Sequence, residues 1–201
     1  MSKMAVREAL SVSRETFAQL EAYVALLEKW QPKINLIANS TVPDIWQRHV
    51  WDSAQLLDHI PSSARTILDV GSGGGFPGLI LAILGEARVH MVESDQRKSI
   101  FLQTVIRELG LNAEVHNRRL ETLPPMAPDI ITARALATVE KLLDWLQPQL
   151  ETGPDCLFLK GAKVEEELTI LASYPNITAT MFQSASSSDG VVLKLSFMKN
   201  A

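Results

Sequence analysis

A single cysteine, Cys156, leaves no intrachain disulfide and points to a reducing compartment, so a cytoplasmic location is expected. It sits in an apolar run, Cys156–Leu159, where it reads as a small buried hydrophobe rather than a nucleophile. Four scattered histidines and that one thiol show no metal-ligand spacing, so no metal is expected. No apolar run approaches the roughly 20 residues that a membrane span requires. Met1–Ser13 mixes Lys3, Arg7 and Glu8 with small residues and has no signal-peptide core. Basic residues are also scarce. With 19 Lys and Arg against 23 Asp and Glu the net charge is -4, which excludes a broadly basic nucleic-acid binder and leaves any RNA contact to a local patch. There is no internal repeat. The one low-complexity stretch, Ser184–Ser188 with Asp189-Gly190, reads as a flexible loop between two strands. The remainder is an ordinary globular composition. Its 201 residues, 46% of them hydrophobic, suffice for one α/β domain and a modest extension, expected to act as a monomer.

Glycine is sparse too, but half of it is concentrated in one place. The segment Ile67–Gly78 reads Ile-Leu-Asp-Val-Gly-Ser-Gly-Gly-Gly-Phe-Pro-Gly. An apolar run, Thr66–Val70, breaks into Gly71, Gly73 and Gly75, and a second apolar run starts at Leu79. This is strand, glycine turn, helix, with Pro77 in the first helical turn where its missing N–H costs nothing. Open α/β sheets bind nucleotides at such a turn. Gly73-x-Gly75-x-x-Gly78 also fits the dinucleotide pattern, which is weak evidence alone. Asp69, two residues before Gly71, is more telling. A carboxylate there suits the sulfonium and amine of S-adenosylmethionine and suits a pyrophosphate poorly. Glu93 closes the next strand, about 20 residues on, where an acidic side chain can accept both ribose hydroxyls.

The rest of the chain reads in two parts. Residues 1–62 form a helical extension, with Phe17, Leu20, Val24 and Leu27 at helical spacing, Ser13 as a cap and a second helical piece over about 42–60. Residues 63–201 alternate strands and helices. Strands are expected at 66–70, 88–92, 113–116, 129–132, 156–160, 177–182 and 191–198, with a clear helix over 95–109 stopped by Gly110. Alternation implies parallel pairing with right-handed crossovers. No helix separates the last two strands, so the final one should be antiparallel. The expected fold is therefore α/β: a Rossmann-like, mostly parallel seven-stranded sheet with a reversed last strand, plus the helical extension.

Several motifs together resemble one family, the bacterial 16S rRNA guanine-N7 methyltransferases of the RsmG (GidB) type. They are Lys29-Trp30 with Asn35-Leu36; Arg48-His49-Val50-Trp51-Asp52-Ser53; the glycine segment with its Phe-Pro-Gly ending; Glu93-Ser94 with Arg97-Lys98 and Phe101-Leu102; Asn117–Glu121; Ala133-Arg134-Ala135; and Leu159-Lys160-Gly161. The family often places a basic residue before the last strand, where this chain has Ser187-Ser188-Asp189-Gly190. The resemblance implies S-adenosyl-L-methionine as cofactor, S-adenosylhomocysteine as product, and 16S ribosomal RNA or the small subunit as partner. It carries cofactor contacts to Gly71, Phe76, Leu120, Glu121 and Arg134, joining Asp69, Gly73, Gly75 and Glu93 from the motif itself. Arg134 is also the candidate for positioning substrate. RNA-facing candidates are Lys29, Lys33, Arg48, His49, Lys160 and Lys163, although His49 equally reads as an interior histidine fixing Asp52.

Methylation of guanine N7 requires no general base, because N7 carries an in-plane lone pair and no proton. Alignment is then the main contribution of the protein. Exocyclic-amine methyltransferases place Asn or Asp, Pro-Pro and an aromatic after the fourth strand, whereas this chain has Thr132-Ala133-Arg134-Ala135. The competing readings are a small-molecule methyltransferase with the extension as a lid, an NAD-binding module, and a non-catalytic assembly factor that retains the fold.

Overall fold

The computed structural model describes residues 1–198. Two helices open the chain, α1 (Lys3–Leu10) and α2 (Arg14–Trp30). Ser13 caps α2 as the spacing predicts, its Oγ accepting the Thr16 N–H at 3.0 Å. The predicted helix over 42–60 is not a regular one. It forms a 3-10 segment (Asn39–Asp44), a π segment (Trp46–Trp51), one α turn, α3 (Asp52–Ala54), and a second 3-10 segment (Gln55–His59). Pro43 cannot donate to a continuous helix. His49, Asp52 and Gln55 are each engaged by partners outside this segment, and such demands override the 3.6 period.

The α/β part follows as β1 (Thr66–Val70), α4 (Gly78–Leu84), β2 (Arg88–Val92), α5 (Gln96–Leu109), β3 (Ala113–His116), β4 (Ile130–Arg134), α6 (Val139–Leu150), β5 (Asp155–Lys160), α7 (Val164–Glu167), β6 (Ile177–Gln183) and β7 (Val191–Phe197). The sheet order is β3-β2-β1-β4-β5-β7-β6. β1 to β5 pair in parallel, and β7 runs antiparallel to both its neighbours. The predicted Rossmann-like sheet with a reversed last strand is therefore observed. One strand is displaced: β4 begins after Asp129, whose carboxylate instead accepts the N–H groups of Arg65 and Thr66 at 2.8 and 2.9 Å. No helix among the described residues is long and apolar enough to cross a membrane.

Two apolar layers sandwich the sheet. One is built by α6 and α7. The other joins α2, α4 and α5 to the extension in a single cluster. The sequence of α4, Gly-Leu-Ile-Leu-Ala-Ile-Leu, is apolar all round, so both its faces must be covered. The sheet covers one and the extension covers the other, leaving only Leu84 partly exposed.

Two expectations change. The first half of the serine loop is packed against the extension rather than free of it. Ser184 and Ser186 are buried, and the loop is tied to the extension by Gln47 on the Ser186 carbonyl (3.0 Å), Trp51 on the Ala185 carbonyl (3.2 Å) and Gln55 on the Ala185 N–H (2.8 Å). The absence of metal-ligand spacing also fails to extend to three dimensions. His90, Glu114 and His116 each bring a ligand atom within 4.8 Å of the others. Parallel register sets His90 opposite Glu114 on adjoining strands, which spacing along one chain cannot show. The two imidazoles bond each other at 3.1 Å and Glu114 pairs with Arg88 at 2.8 Å, so the group is satisfied as it stands.

Candidate active site

The carboxyl ends of β1 and β4 lie side by side, with Asp69 opposite Thr132. Asp69 is fully buried and accepts the Thr132 hydroxyl at 2.8 Å. Burial pushes its carboxyl up to about 6, against the opposing pull of the Ser72 and Thr132 hydroxyls. Its other oxygen, Oδ2, lies beneath Gly78, where a Cβ would come within 2.6 Å of it. Asp69 therefore supports the glycine turn from below and lines neither of the two cavities described next.

Above that carboxylate the turn follows the strand in left-handed backbone, with φ +67° at Gly71 and +99° at Gly75. The two glycines serve different ends. Gly71 lines a cavity of about 300 Å³, and a Cβ on it would lie 2.5 Å from Leu136 Cδ1. Gly75 faces inward, where a Cβ would strike Leu79 and approach the Tyr23 hydroxyl at 3.0 Å. Tyr23 also ties the turn to α2, donating to the Gly74 carbonyl at 2.6 Å.

The smaller cavity brings together Gly71, Gly73, Glu93, Leu120 and Glu121 from the sequence reading. Glu93 lines this space and accepts the Gly73 N–H at 2.8 Å and the Asp95 N–H at 2.7 Å, one on each oxygen, so each oxygen keeps a further acceptor position. Leu120 supplies an apolar face beside Trp145 of α6. Sequence reasoning missed Trp145. The available signal was a tryptophan just off the buried stripe Val139, Leu142, Leu143 and Leu146. A glycine floor without Cβ atoms, an acidic acceptor pair at the end of β2 and an apolar face after β3 fit a nucleoside carrying a short polar tail.

Phe76 and Arg134 lie elsewhere than expected. The Phe76 ring is buried between Tyr23 (5.3 Å) and His49 (5.0 Å), with the Arg134 guanidinium 5.0 Å above it. Phe76 packs the extension onto the turn and does not line the smaller cavity. Arg134 lines a second, larger cavity of about 730 Å³ between the extension and the ends of β4, β5 and β7.

Within that cavity wall the groups form a directed chain. Arg134 donates through Nη1 to His49 Nδ1 at 2.6 Å, and His49 Nε2 meets the Thr41 hydroxyl at 2.7 Å. Arginine has only donors, so Nδ1 accepts and the imidazole proton sits on Nε2, directed to Thr41. Thr41 in turn donates its hydroxyl to the Ala38 carbonyl at 2.7 Å. Burial, reinforced by Arg134 and Arg48, lowers His49 to about 3, so the ring is neutral. His49 is thus an interior histidine that orients Arg134 in the wall of this cavity, and its partner is not Asp52. Asp52 is held instead by Gln55 at 2.9 Å, by Ser184 at 3.4 Å and by a short bond from Ser186, all on Oδ1. Burial raises its carboxyl above the usual range. Asp52, Gln55 and these two serines were not singled out as site residues, because their partners come from opposite ends of the chain.

The basic candidates separate clearly. Lys160 is buried at its side chain (8% exposed), donating to the Ala137 carbonyl at 2.7 Å and pairing with Glu167 at 2.6 Å, so it ties β5 to the start of α6 while also lining the larger cavity. Arg48 is exposed on the rim of the larger cavity. Lys163 is exposed just beyond Gly161 and Ala162, which line the same cavity, while Lys29 and Lys33 are exposed and line neither cavity.

The model of the family described as "rRNA small subunit methyltransferase G" matches residues 16–189. A protein of that name from Paramagnetospirillum magneticum is 50% identical over 184 residues, covering 92% of this chain and 90% of the relative. Another from Rhodospirillum rubrum is 47% identical, covering 92% of each. Among solved structures, a putative O-methyltransferase from Klebsiella pneumoniae superposes with a TM-score of 0.66 at 15% identity, covering 98% of this chain and 96% of that one. A SAM-dependent methyltransferase from Aquifex aeolicus gives 0.61 at 16% identity, covering 87% and 98%. These two likenesses bear on the fold alone.

Proposed function

The chain belongs to the rRNA small subunit methyltransferase G family, and on that premise we propose that it methylates N7 of a guanine in 16S ribosomal RNA. The enzyme class is S-adenosylmethionine-dependent methyl transfer. The observation that carries the substrate reading is the pair of cavities meeting at consecutive residues. Arg134 and Ala135 line the larger one and Leu136 lines the smaller.

In this reading the smaller cavity holds the cofactor. Gly71 and Gly73 let the backbone approach its amino-acid end, Glu93 accepts from the ribose, and Leu120 with Glu121 flanks the adenine. When bound, S-adenosylmethionine supplies an electrophilic methyl on a cationic sulfur. The guanine enters the larger cavity, with N7 turned toward the Arg134–Leu136 boundary. Its lone pair needs no base to expose it. The cavity wall matches that economy: His49 is neutral with both ring nitrogens engaged, and Arg134 is fixed by it. The protein's own work is orientation and exclusion of water. An exposed guanine in a loop or bulge suits a pocket of this kind, with Arg48 and Lys163 placed to meet the adjoining phosphates.

The test is transfer of labelled methyl to 16S rRNA lacking the modification, followed by nucleoside mass analysis. The expected product is 7-methylguanosine, absent with Gly73→Arg. A different methylated nucleoside, or label only in small metabolites, would overturn the reading.

A further inference from the structure

We propose that the 730 Å³ cavity is a guanine-reading pocket in which Asp52 receives the N1–H and the exocyclic N2 amino group of the base. The inference rests on the guanine-N7 reading above and adds to it the residue that selects the base.

The geometry of Asp52 carries the argument. Its Oδ1 is saturated by three donors, Gln55, Ser184 and Ser186. These come from the extension and from the β6–β7 loop, so the carboxylate plane is set from two sides. Oδ2 takes no protein hydrogen bond among the described residues and is not an enclosed unpaired atom. Asp52 lines the large cavity, so this oxygen is the acceptor the fold leaves open to it. A carboxylate constrained on one oxygen and free on the other is built to accept from a ligand.

Guanine complements it. Its Watson–Crick edge presents two adjacent donors, N1–H and N2–H, which would share the two lone pairs of Oδ2. Adenine presents an acceptor at N1, and a lone pair there would face the carboxylate. The guanine edge with these donors lies across the ring from N7. A base seated on Asp52 therefore turns N7 away from that wall. Arg134 stands beside the same cavity with donors to spare after bonding His49 and the Arg48 carbonyl. These suit O6, which neighbours N7 without occupying it. The volume is within the range of small-molecule pockets and leaves room for the flanking sugar and phosphates.

The experiment compares single-turnover kcat/KM on 16S rRNA carrying guanosine or inosine at the methylated position. Inosine keeps N7, O6 and N1–H and lacks only the N2 amino group. The native enzyme should methylate the inosine RNA at least about tenfold more slowly. Asp52→Asn, which retains one oxygen for the serines and Gln55 but turns an amide toward the base, should lose about 10- to 100-fold on guanosine. Its guanosine-to-inosine ratio should fall toward one, with S-adenosylmethionine affinity unchanged within about twofold, as expected for a residue outside the cofactor site. Equal native rates on the two RNAs, or an Asp52→Asn enzyme that keeps the native ratio, would overturn the proposal. If Asp52→Asn loses cofactor binding along with its fold, the native ratio alone decides. A native enzyme that forms no 7-methylguanosine on the guanosine RNA fails the parent reading and this one with it, an outcome distinct from equal rates.

Discussion

At the residue scale, the glycine turn shows how neighbours of one type carry different loads. A Cβ at Gly73 would meet nothing closer than the Gly71 carbonyl at 3.8 Å, although φ is +55° there. Gly73→Arg should therefore fold, losing about 1 kcal/mol to the left-handed backbone, while its side chain fills the smaller cavity, proposed above as the cofactor site. Calorimetric titration should show no S-adenosylmethionine binding alongside a melting temperature only a few degrees lower. A variant that binds normally would displace the cofactor site from this cavity. His49 sets a second expectation. Its folded value of about 3 lies below the ordinary 6.5, so the unfolded chain takes a proton first. Its contribution is intact above 6.5 and drains away as pH falls from there toward 3. His49→Gln keeps a polar group and has no such titration. Urea denaturation at pH 6.5 and 4.5 should show the native protein losing roughly 2–3 kcal/mol more than His49→Gln. Asp69, raised to about 6, works in the opposite direction in both proteins, so the difference isolates the histidine. Equal losses would mean that the ring is not held neutral by burial beside Arg134.

At the element scale, the loop after β6 and the irregular segment 39–59 define each other. A serine run reads as flexible because serine has no stripe or period to announce a partner. Here its hydroxyls are the partners, taken by Asp52 and Gln55 from more than 120 residues away. Gln55 bonds both the Ala185 N–H and the Ser184 hydroxyl. Gln55→Ala should free that amide, and its hydrogen exchange should quicken about tenfold or more while amides in the middle of β7 hold their rates. Unchanged exchange at Ala185 would mean that the loop is anchored by other bonds.

At the scale of the whole molecule, the extension completes the core. Tyr23, Leu27, Val50 and Leu56 share one buried cluster with Leu79, Ile80 and Leu81 of α4. Removing residues 1–62 would expose that outer face to water, at about 25 cal/mol for each Å². The shortened chain should show no cooperative thermal transition by circular dichroism and should bind a hydrophobic dye. A sharp transition near that of the full chain would show that the sheet and its remaining helices suffice alone.

Periodicity and glycine placement were enough to read the sheet, because strand spacing, helix stripes and caps are local: Thr66–Val70, Arg88–Val92 and Ala113–His116 fall where the pattern puts them. The glycine turn and the cavity it lines were legible for the same reason, since Gly71, Gly73 and Glu93 lie on two consecutive strands and their loops. What needed the tertiary structure was every pairing made between distant segments. That Asp69 is buried beneath the turn, that Phe76 and His49 seat the extension, that Lys160 is an internal tie, and that Asp52 is aimed by the serine loop all depend on contacts across the fold. Such contacts are chosen by burial and hydrogen-bond satisfaction, which no single stretch of chain records.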